Sequence, residues 1–397
     1  MKRIIKLENL IYLTIFLLPT YFLRFSVFGL RVNFLDALLG ATIFWGTIYC
    51  HKKSGFGEFF AKNRALFSLV GLIVAGFLFS IFLNENKIAG LGLLKSLIIL
   101  PFFFLLVVRL IISQDKVLNI FVTYYFSAFV VSLICLAYYF SGRVTFDLRL
   151  QGFFNSPNYL GMYLAPAVFI FPALLSITIK NRKWLVFSSI GIIFWALYLT
   201  LSYASWVAIL GSLFVVFIVE KKIDWKKISV SLFLLALLVF SQLEKSKFSD
   251  LLFFSDQSSF SSRTMIWRSA GKILNDNWFW GIGVGNFQTE YLEYQKYFPP
   301  YLEWAVPHPH NLYLAFWLFG GMLGFLGFFA LACYWFLCFF KTQKNPHLKF
   351  IGLGIMLYIL FHGLVDTPYF KNDLAVIFWL LFALGTTQKE IFQRVNR

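Results

Sequence analysis

Ala65-Leu-Phe-Ser-Leu-Val-Gly-Leu-Ile-Val-Ala-Gly-Phe-Leu-Phe-Ser-Ile-Phe-Leu83 runs nineteen residues without a charge. As a helix it would be about 28 Å long, close to the hydrocarbon thickness of a bilayer. The rest of the chain repeats the pattern. Hydrophobic residues make up 59% of its 397 residues and charged ones only 13%, against roughly 25% charged in a soluble domain. So much apolar surface calls for lipid as solvent, where only helices and closed barrels satisfy every backbone group. A barrel would alternate in segments of about ten residues, and here the runs are continuous. The sequence therefore predicts an all-α, polytopic membrane protein with a single transmembrane domain over residues 1–397.

Twelve segments qualify as spans: 8–24, 33–50, 65–83, 88–112, 117–140, 159–179, 184–202, 204–220, 228–243, 311–340, 350–366 and 373–388. One long connection, 244–306, separates the ninth from the tenth. No repeat, low-complexity tract or second domain is visible. The basic start Met1-Lys-Arg-Ile-Ile-Lys6 precedes an apolar run without a small-residue cleavage site, which reads as an uncleaved first helix.

The net charge of +17 is topological. Lys and Arg collect on the cytoplasmic side of membrane proteins. With the N-terminus inside, the cytoplasmic segments hold 22 basic residues and the short external loops six: Arg24, Arg31, Lys87, Arg143, Arg149 and Lys371. Both termini are then cytoplasmic and the long loop is external. No nucleic-acid motif is present, so nucleic acid is excluded as a partner. Cys50, Cys135, Cys333 and Cys338 lie in or beside apolar runs with no C-x-x-C pair, so neither a disulfide nor a thiolate metal site is expected.

Chemistry concentrates in and around the long loop. Residues 263–274 predict an amphipathic helix, capped by Ser261 or Ser262, with Arg263 and Trp267 on one face and Arg268 and Lys272 on another. Snorkelling of both arginines to headgroups is the plainer reading of that pattern. Gly281, Gly283 and Gly285 suit either an anion-binding turn or a turn returning the chain to the membrane. Then come His308 and His310, followed by Asn311, at the mouth of a membrane helix. A neutral imidazole there can accept a proton from a hydroxyl, and a structural pair is the alternative. No carboxylate or thiolate stands near them at ligand spacing, so no metal is expected. Arg149, in a basic external segment, suits a diphosphate. Asp36, Lys95, His362 and Asp366 lie in or near apolar runs, where ionisable groups need a partner or a cavity. His362 and Asp366, four apart, could bond each other. Asp-x-Asp, a common holder of metal and nucleotide diphosphate, is absent.

Taken together, these segments resemble the O-antigen ligase and polysaccharide polymerase family of bacterial inner-membrane proteins. The matching pieces are Asp36, Arg149-Leu-Gln-Gly-Phe-Phe-Asn-Ser-Pro-Asn158, Leu201-Ser-Tyr-Ala-Ser-Trp206, Arg263-x-x-x-Trp267, Gly281-x-Gly-x-Gly-Asn-Phe287, Pro309-His310-Asn311-x-Tyr-Leu314, Gly320-Gly321 and His362-Gly-Leu-Val-Asp366. The resemblance implies an inverting glycosyl transfer without metal or other cofactor. The donor would be an undecaprenyl-diphosphate-linked glycan, the acceptor a saccharide or lipid-glycan, and the active site would face the periplasm or exterior. By resemblance His310 is the essential histidine and Arg263 the diphosphate-holding loop arginine, with Arg149 and Arg268 as further diphosphate contacts. Asn311, His308, Trp267, Asp366 and His362 would support them. The chain departs from the family at Tyr203, where members commonly carry another arginine; Arg149 is the candidate to compensate. A repeat-unit polymerase and a protein O-oligosaccharyltransferase fit the same motifs. A secondary transporter is the rival from another class, but transporters usually show two related halves, and none are visible here.

Overall fold

The computed structural model describes residues 2–27, 30–51, 56–220, 259–299 and 306–384. In chain order its helices are α1 (Lys2–Phe16), α2 (Phe34–His51), α3 (Phe56–Lys62), α4 (Arg64–Leu83), α5 (Lys87–Ile111), α6 (Val117–Phe140), α7 (Pro157–Ile177), α8 (Lys183–Leu199) and α9 (Tyr203–Val219). After the long connection begins come α10 (Ser259–Asp276), α11 (Phe287–Tyr294), α12 (Leu312–Thr342), α13 (Pro346–His362) and α14 (Asn372–Leu380). Among the described residues six helices are long and apolar enough to cross a membrane: α4, α5, α6, α7, α8 together with the Lys180–Arg182 turn that leads into it, and α12. α2, α9, α13 and α14 are apolar but shorter. The expected segment 228–243 and the ends of the 244–306 loop lie outside the described residues. The molecule is thus an all-α membrane protein, with six of the twelve expected spans meeting both length and hydropathy.

Three local expectations are corrected. Residues 24–33 form an antiparallel hairpin, with Arg24–Val27 paired to Leu30–Asn33, where only a loop was read. Its eight paired residues are too few to give a periodic signal. α10 starts at Ser259, so Ser261 and Ser262 lie inside the helix and not at its cap. α11 fills the later part of the loop, where no helix was expected.

Packing follows membrane rules. Large apolar side chains such as Phe44, Trp45, Phe82, Trp184 and Phe187 face outward, which water would penalise and lipid does not. Inside, small residues let helices touch. Gly76 of α4 meets the backbone of Gly320 and Gly324 of α12 so closely that a Cβ would collide.

α12 also breaks at Gly321, which takes φ 61 and ψ −164. The break frees backbone groups that the loop then satisfies. Ile282 N–H donates to the Leu318 carbonyl at 2.7 Å, and Met322 N–H donates to the Phe279 carbonyl at 2.9 Å. The indole of Trp317 donates to the Trp278 carbonyl at 2.7 Å. Such contact is possible only because Gly281, at φ +70, has no Cβ to strike Leu318. Of the two readings of this glycine-rich turn, the docking turn is therefore the one realised. It ties the C-terminal end of α10 to the wall of the helical bundle.

Candidate functional site

The site is built where α12 begins. Asn311 caps that helix, its Oδ1 accepting from the N–H groups of Tyr313 and Leu314 at 3.0 Å each. Its amide donates to the Leu364 carbonyl at 2.9 Å, and Leu312 N–H donates to the Gly363 carbonyl at 2.7 Å. These bonds fasten the start of α12 to the connection that follows α13. His310, one residue earlier, is held at φ 46. That left-handed conformation costs a non-glycine residue about 1–3 kcal/mol and tends to persist where function requires it. Trp267 helps maintain it, donating its indole N–H to the His310 carbonyl at 3.2 Å. Asn311 and Trp267 thus act on the backbone of His310 and not on its ring.

Beneath the ring lies Asp366, its side chain 1% exposed. One carboxylate oxygen accepts from Thr367 N–H at 2.8 Å and lies 3.1 Å from His310 Nδ1. The other lies 3.6 Å from a terminal nitrogen of Arg263. Arg263 and Trp267 are four residues apart on α10, so one helical face delivers both to the same place. Arg268 is five residues beyond Arg263, or about 140° around the helix. It stands exposed, and the fold does not bring it to the cluster. The His362 and Asp366 side chains do not bond each other as their spacing suggested; α13 ends at His362, and only the Asp366 N–H reaches back, donating to the His362 carbonyl at 3.0 Å. The Nδ1 of His362 instead pairs with the Tyr358 hydroxyl at 2.7 Å. His308 does join the cluster, its ring edge-to-face with His310 at 4.7 Å between centroids.

The electrostatics have clear causes. Burial alone would raise the Asp366 carboxyl. The charge and hydrogen bond of His310, with the charge of Arg263, overcome this and hold it well below the usual carboxylate range. Asp366 is therefore an anion at any physiological pH. Burial, then the positive charge of Lys371, pushes His308 well below the usual imidazole range, so His308 is neutral. Arg149, 8% exposed, sits close enough to Arg263 for their charges to interact. Its guanidinium fork is largely committed, however. Nε donates to the Thr200 carbonyl at 2.8 Å and one terminal nitrogen to Asn158 Oδ1 at 2.7 Å, while the other lies 3.6 Å from Asp147. Tyr203, at the first turn of α9, interacts with the same arginine.

Residues 188–329 match the family model described as O-antigen ligase. Over that stretch the chain is similar to the O-antigen ligase family. No curated protein matches it. The matched region carries Tyr203, Arg263, Trp267, Arg268, His308, His310 and Asn311, whereas Arg149, His362 and Asp366 fall outside it. The core trio of Arg263, His310 and Asp366 is thus assembled across the boundary of the match. Sequence reasoning missed one participant and misplaced the partner of another. Lys371 was read only as a loop charge; Asp366 was named as a supporting residue, but its spacing pointed to His362, whereas its carboxylate meets His310.

The ligand atoms of His308, His310 and Asp366 lie within 4.8 Å of one another. Sequence spacing gave no carboxylate near the histidines, but the fold brings one from 56 residues away. Metal-site geometry alone would admit a divalent ion. The surroundings favour the opposite charge, because Arg263 already faces Asp366 and Lys371 interacts with both Asp366 and His308.

Proposed function

We propose that this protein transfers a glycan from an undecaprenyl-diphosphate carrier to a saccharide or lipid-linked acceptor on the outer face of the cytoplasmic membrane, inverting the anomeric centre without a metal. The family supports an O-antigen ligase- or polymerase-type membrane glycosyltransferase in general. The observation that carries the finer reading is the buried Asp366 shared by His310 and Arg263.

Asp366, ionised, accepts the proton of His310 Nδ1. That fixes the tautomer in which Nε2 keeps its lone pair, the arrangement a general base needs. An acceptor hydroxyl loses its proton to Nε2 as its oxygen forms a bond to the anomeric carbon. The bond from that carbon to the diphosphate oxygen breaks, and its electron pair leaves on the polyprenyl diphosphate. Arg263 offsets the charge developing there, and among the described residues its Nε has no hydrogen-bond partner. His308, neutral and against the His310 ring, limits where that ring can rotate.

The accompanying topology has twelve spans, cytoplasmic termini and an external loop 244–306, and rests on the distribution of Lys and Arg. A cysteine placed at Ser258 tests it, since labelling only after permeabilisation would invert the map. The transfer itself is tested with purified protein, a lipid-linked oligosaccharide and candidate acceptors. Glycosylated lipid core as product supports a ligase, lengthened glycan a polymerase, and glycosylated peptide a protein glycosyltransferase. No transfer to any of them, with donor transport across vesicles instead, would favour the transporter.

A further inference from the structure

Lys371 belongs to no motif, yet the fold fixes it beside the cluster. It directly precedes α14, and its neighbours are anchored on both sides. Asn372 donates its amide to Asp36 Oδ1 at 3.2 Å, and Asp36 is itself held by Ser96 at 2.5 Å and Lys95 at 2.9 Å. Asp373 accepts from the Tyr159 hydroxyl at 2.5 Å. The Lys371 N–H donates to the Tyr369 carbonyl at 2.8 Å. The backbone beneath Lys371 is therefore rigid, and its ammonium stands 5.3 Å from the centre of the Tyr159 ring, a cation–π contact that holds it in place without neutralising it.

The nearby cations differ in how much of their charge is already matched. Arg263 faces Asp366, and Arg149 spends three nitrogens on Thr200, Asn158 and Asp147. Asp36 is matched by Lys95. Among the described residues no carboxylate lies within 4 Å of the Lys371 ammonium. Lys371 nonetheless interacts electrostatically with Asp366, Asp373 and His308, and through Asp366 and His308 it looks onto the same ground as Arg263 and His310. A preorganised, partly covered cation without an ion-pair partner among the described residues, next to a second cation already aimed at the spot, is the arrangement an anionic group of two phosphates would complete.

We propose that Lys371 is a diphosphate-binding residue of this site, paired with Arg263 across the carrier's two phosphates. The proposal rests on the reading of the site as one for a polyprenyl diphosphate. The rival role for Lys371 is structural, to balance the buried Asp373.

Farnesyl diphosphate, a short polyprenyl diphosphate, serves as the probe, with inorganic diphosphate and farnesol in parallel arms. Binding to purified full-length protein in nanodiscs is followed by calorimetry. The wild type is expected to bind farnesyl diphosphate saturably and farnesol not at all. Lys371→Met should weaken binding by about tenfold or more, the scale of one lost charge-assisted hydrogen bond. Lys371→Arg should stay within about threefold. Lys371→Gln replaces the methionine variant if that one does not fold. Equal weakening for inorganic diphosphate assigns Lys371 to the phosphates themselves. Weakening confined to the farnesyl compound still supports the inference and assigns Lys371 to the lipid-linked form. Wild-type affinity in Lys371→Met, with a lowered Tm that Asp373→Asn restores, would establish the structural role and overturn the inference. If Arg263→Ala loses the probe while Lys371→Met keeps it, the inference falls and the proposed function stands. If the wild type does not bind the probe, both fall.

Discussion

Replacing Asp366 with asparagine separates the electrostatic role of this residue from its shape. The amide can still accept from Thr367 N–H and from His310 Nδ1, now at 2.8 Å and 3.1 Å in the wild type. What it lacks is charge. Arg263, 3.6 Å away, would face a neutral amide, and nothing would enforce the Nδ1–H tautomer of His310. Removing one partner of a fully buried ion pair costs about 3–5 kcal/mol. Arg263 and His310 keep side-chain exposures of 16% and 27%, so solvent recovers part of this and about 2 kcal/mol is the expected loss. The sign with pH follows from the depressed carboxyl. A group whose folded pKa lies below its unfolded value of about 3.9 contributes stability above that value and loses it as pH falls through the folded one. The carboxylate's own contribution, and with it that part of the difference between wild type and Asp366→Asn, should therefore be lost in strong acid, as pH falls through the depressed carboxyl value. Turnover should fall by roughly 10²–10⁴-fold, the range for a disabled general base. Thermal unfolding in detergent and a steady-state transfer assay measure the two effects. Transfer within threefold of wild type by Asp366→Asn would refute the reasoning, because the shared carboxylate would then be dispensable.

Other substitutions follow from the same geometry. Arg263→Ala should raise the donor KM as well as lower kcat, since a diphosphate contact exists before the transition state; Arg268→Ala, on the far face of α10, should change neither by more than about twofold. Gly321→Ala should destabilise the protein by about 2 kcal/mol or more, through its positive φ and the collision with Phe279 and Trp280. Gly71→Ala, where a Cβ meets nothing within 4 Å, should stay within about 1 kcal/mol of wild type. Trp267→Phe should lower turnover with little change in donor binding, because it releases the strained backbone of His310 and leaves Arg263 in place.

Hydropathy made the helical architecture legible because a bilayer imposes one length and one polarity on every span. Residues 65–83 and 117–140 match α4 and α6 almost end to end for that reason. The hairpin at 24–33 and α11 were not legible, since four-residue strands and an eight-residue helix carry little periodicity. Within the site, His310 and Arg263 stood out because an imidazole and a guanidinium in a mostly apolar chain are conspicuous. Their shared partner did not. Asp366 belongs with them only once the 363–371 connection folds back on the start of α12, and a helical spacing rule misdirected it to His362. Lys371 was hidden in the same way. Its meaning depends on Asp36, Tyr159 and Asp373, residues far apart in sequence whose bonds fix its position. Arg149 shows the converse: an arginine in a promising segment whose donors the fold largely spends on Thr200 and Asn158.

The most direct test of the account is a transfer assay comparing His310→Ala with His308→Ala, each checked for folding by thermal unfolding and for donor-probe binding. His310 carries the strained backbone and the bond to Asp366, so His310→Ala should bind the donor probe nearly as wild type and lose roughly 10²–10⁴-fold in turnover. His308→Ala should keep most of its activity. Near-normal transfer by His310→Ala would contradict the general-base role, and a loss confined to His308→Ala would move the base two residues upstream.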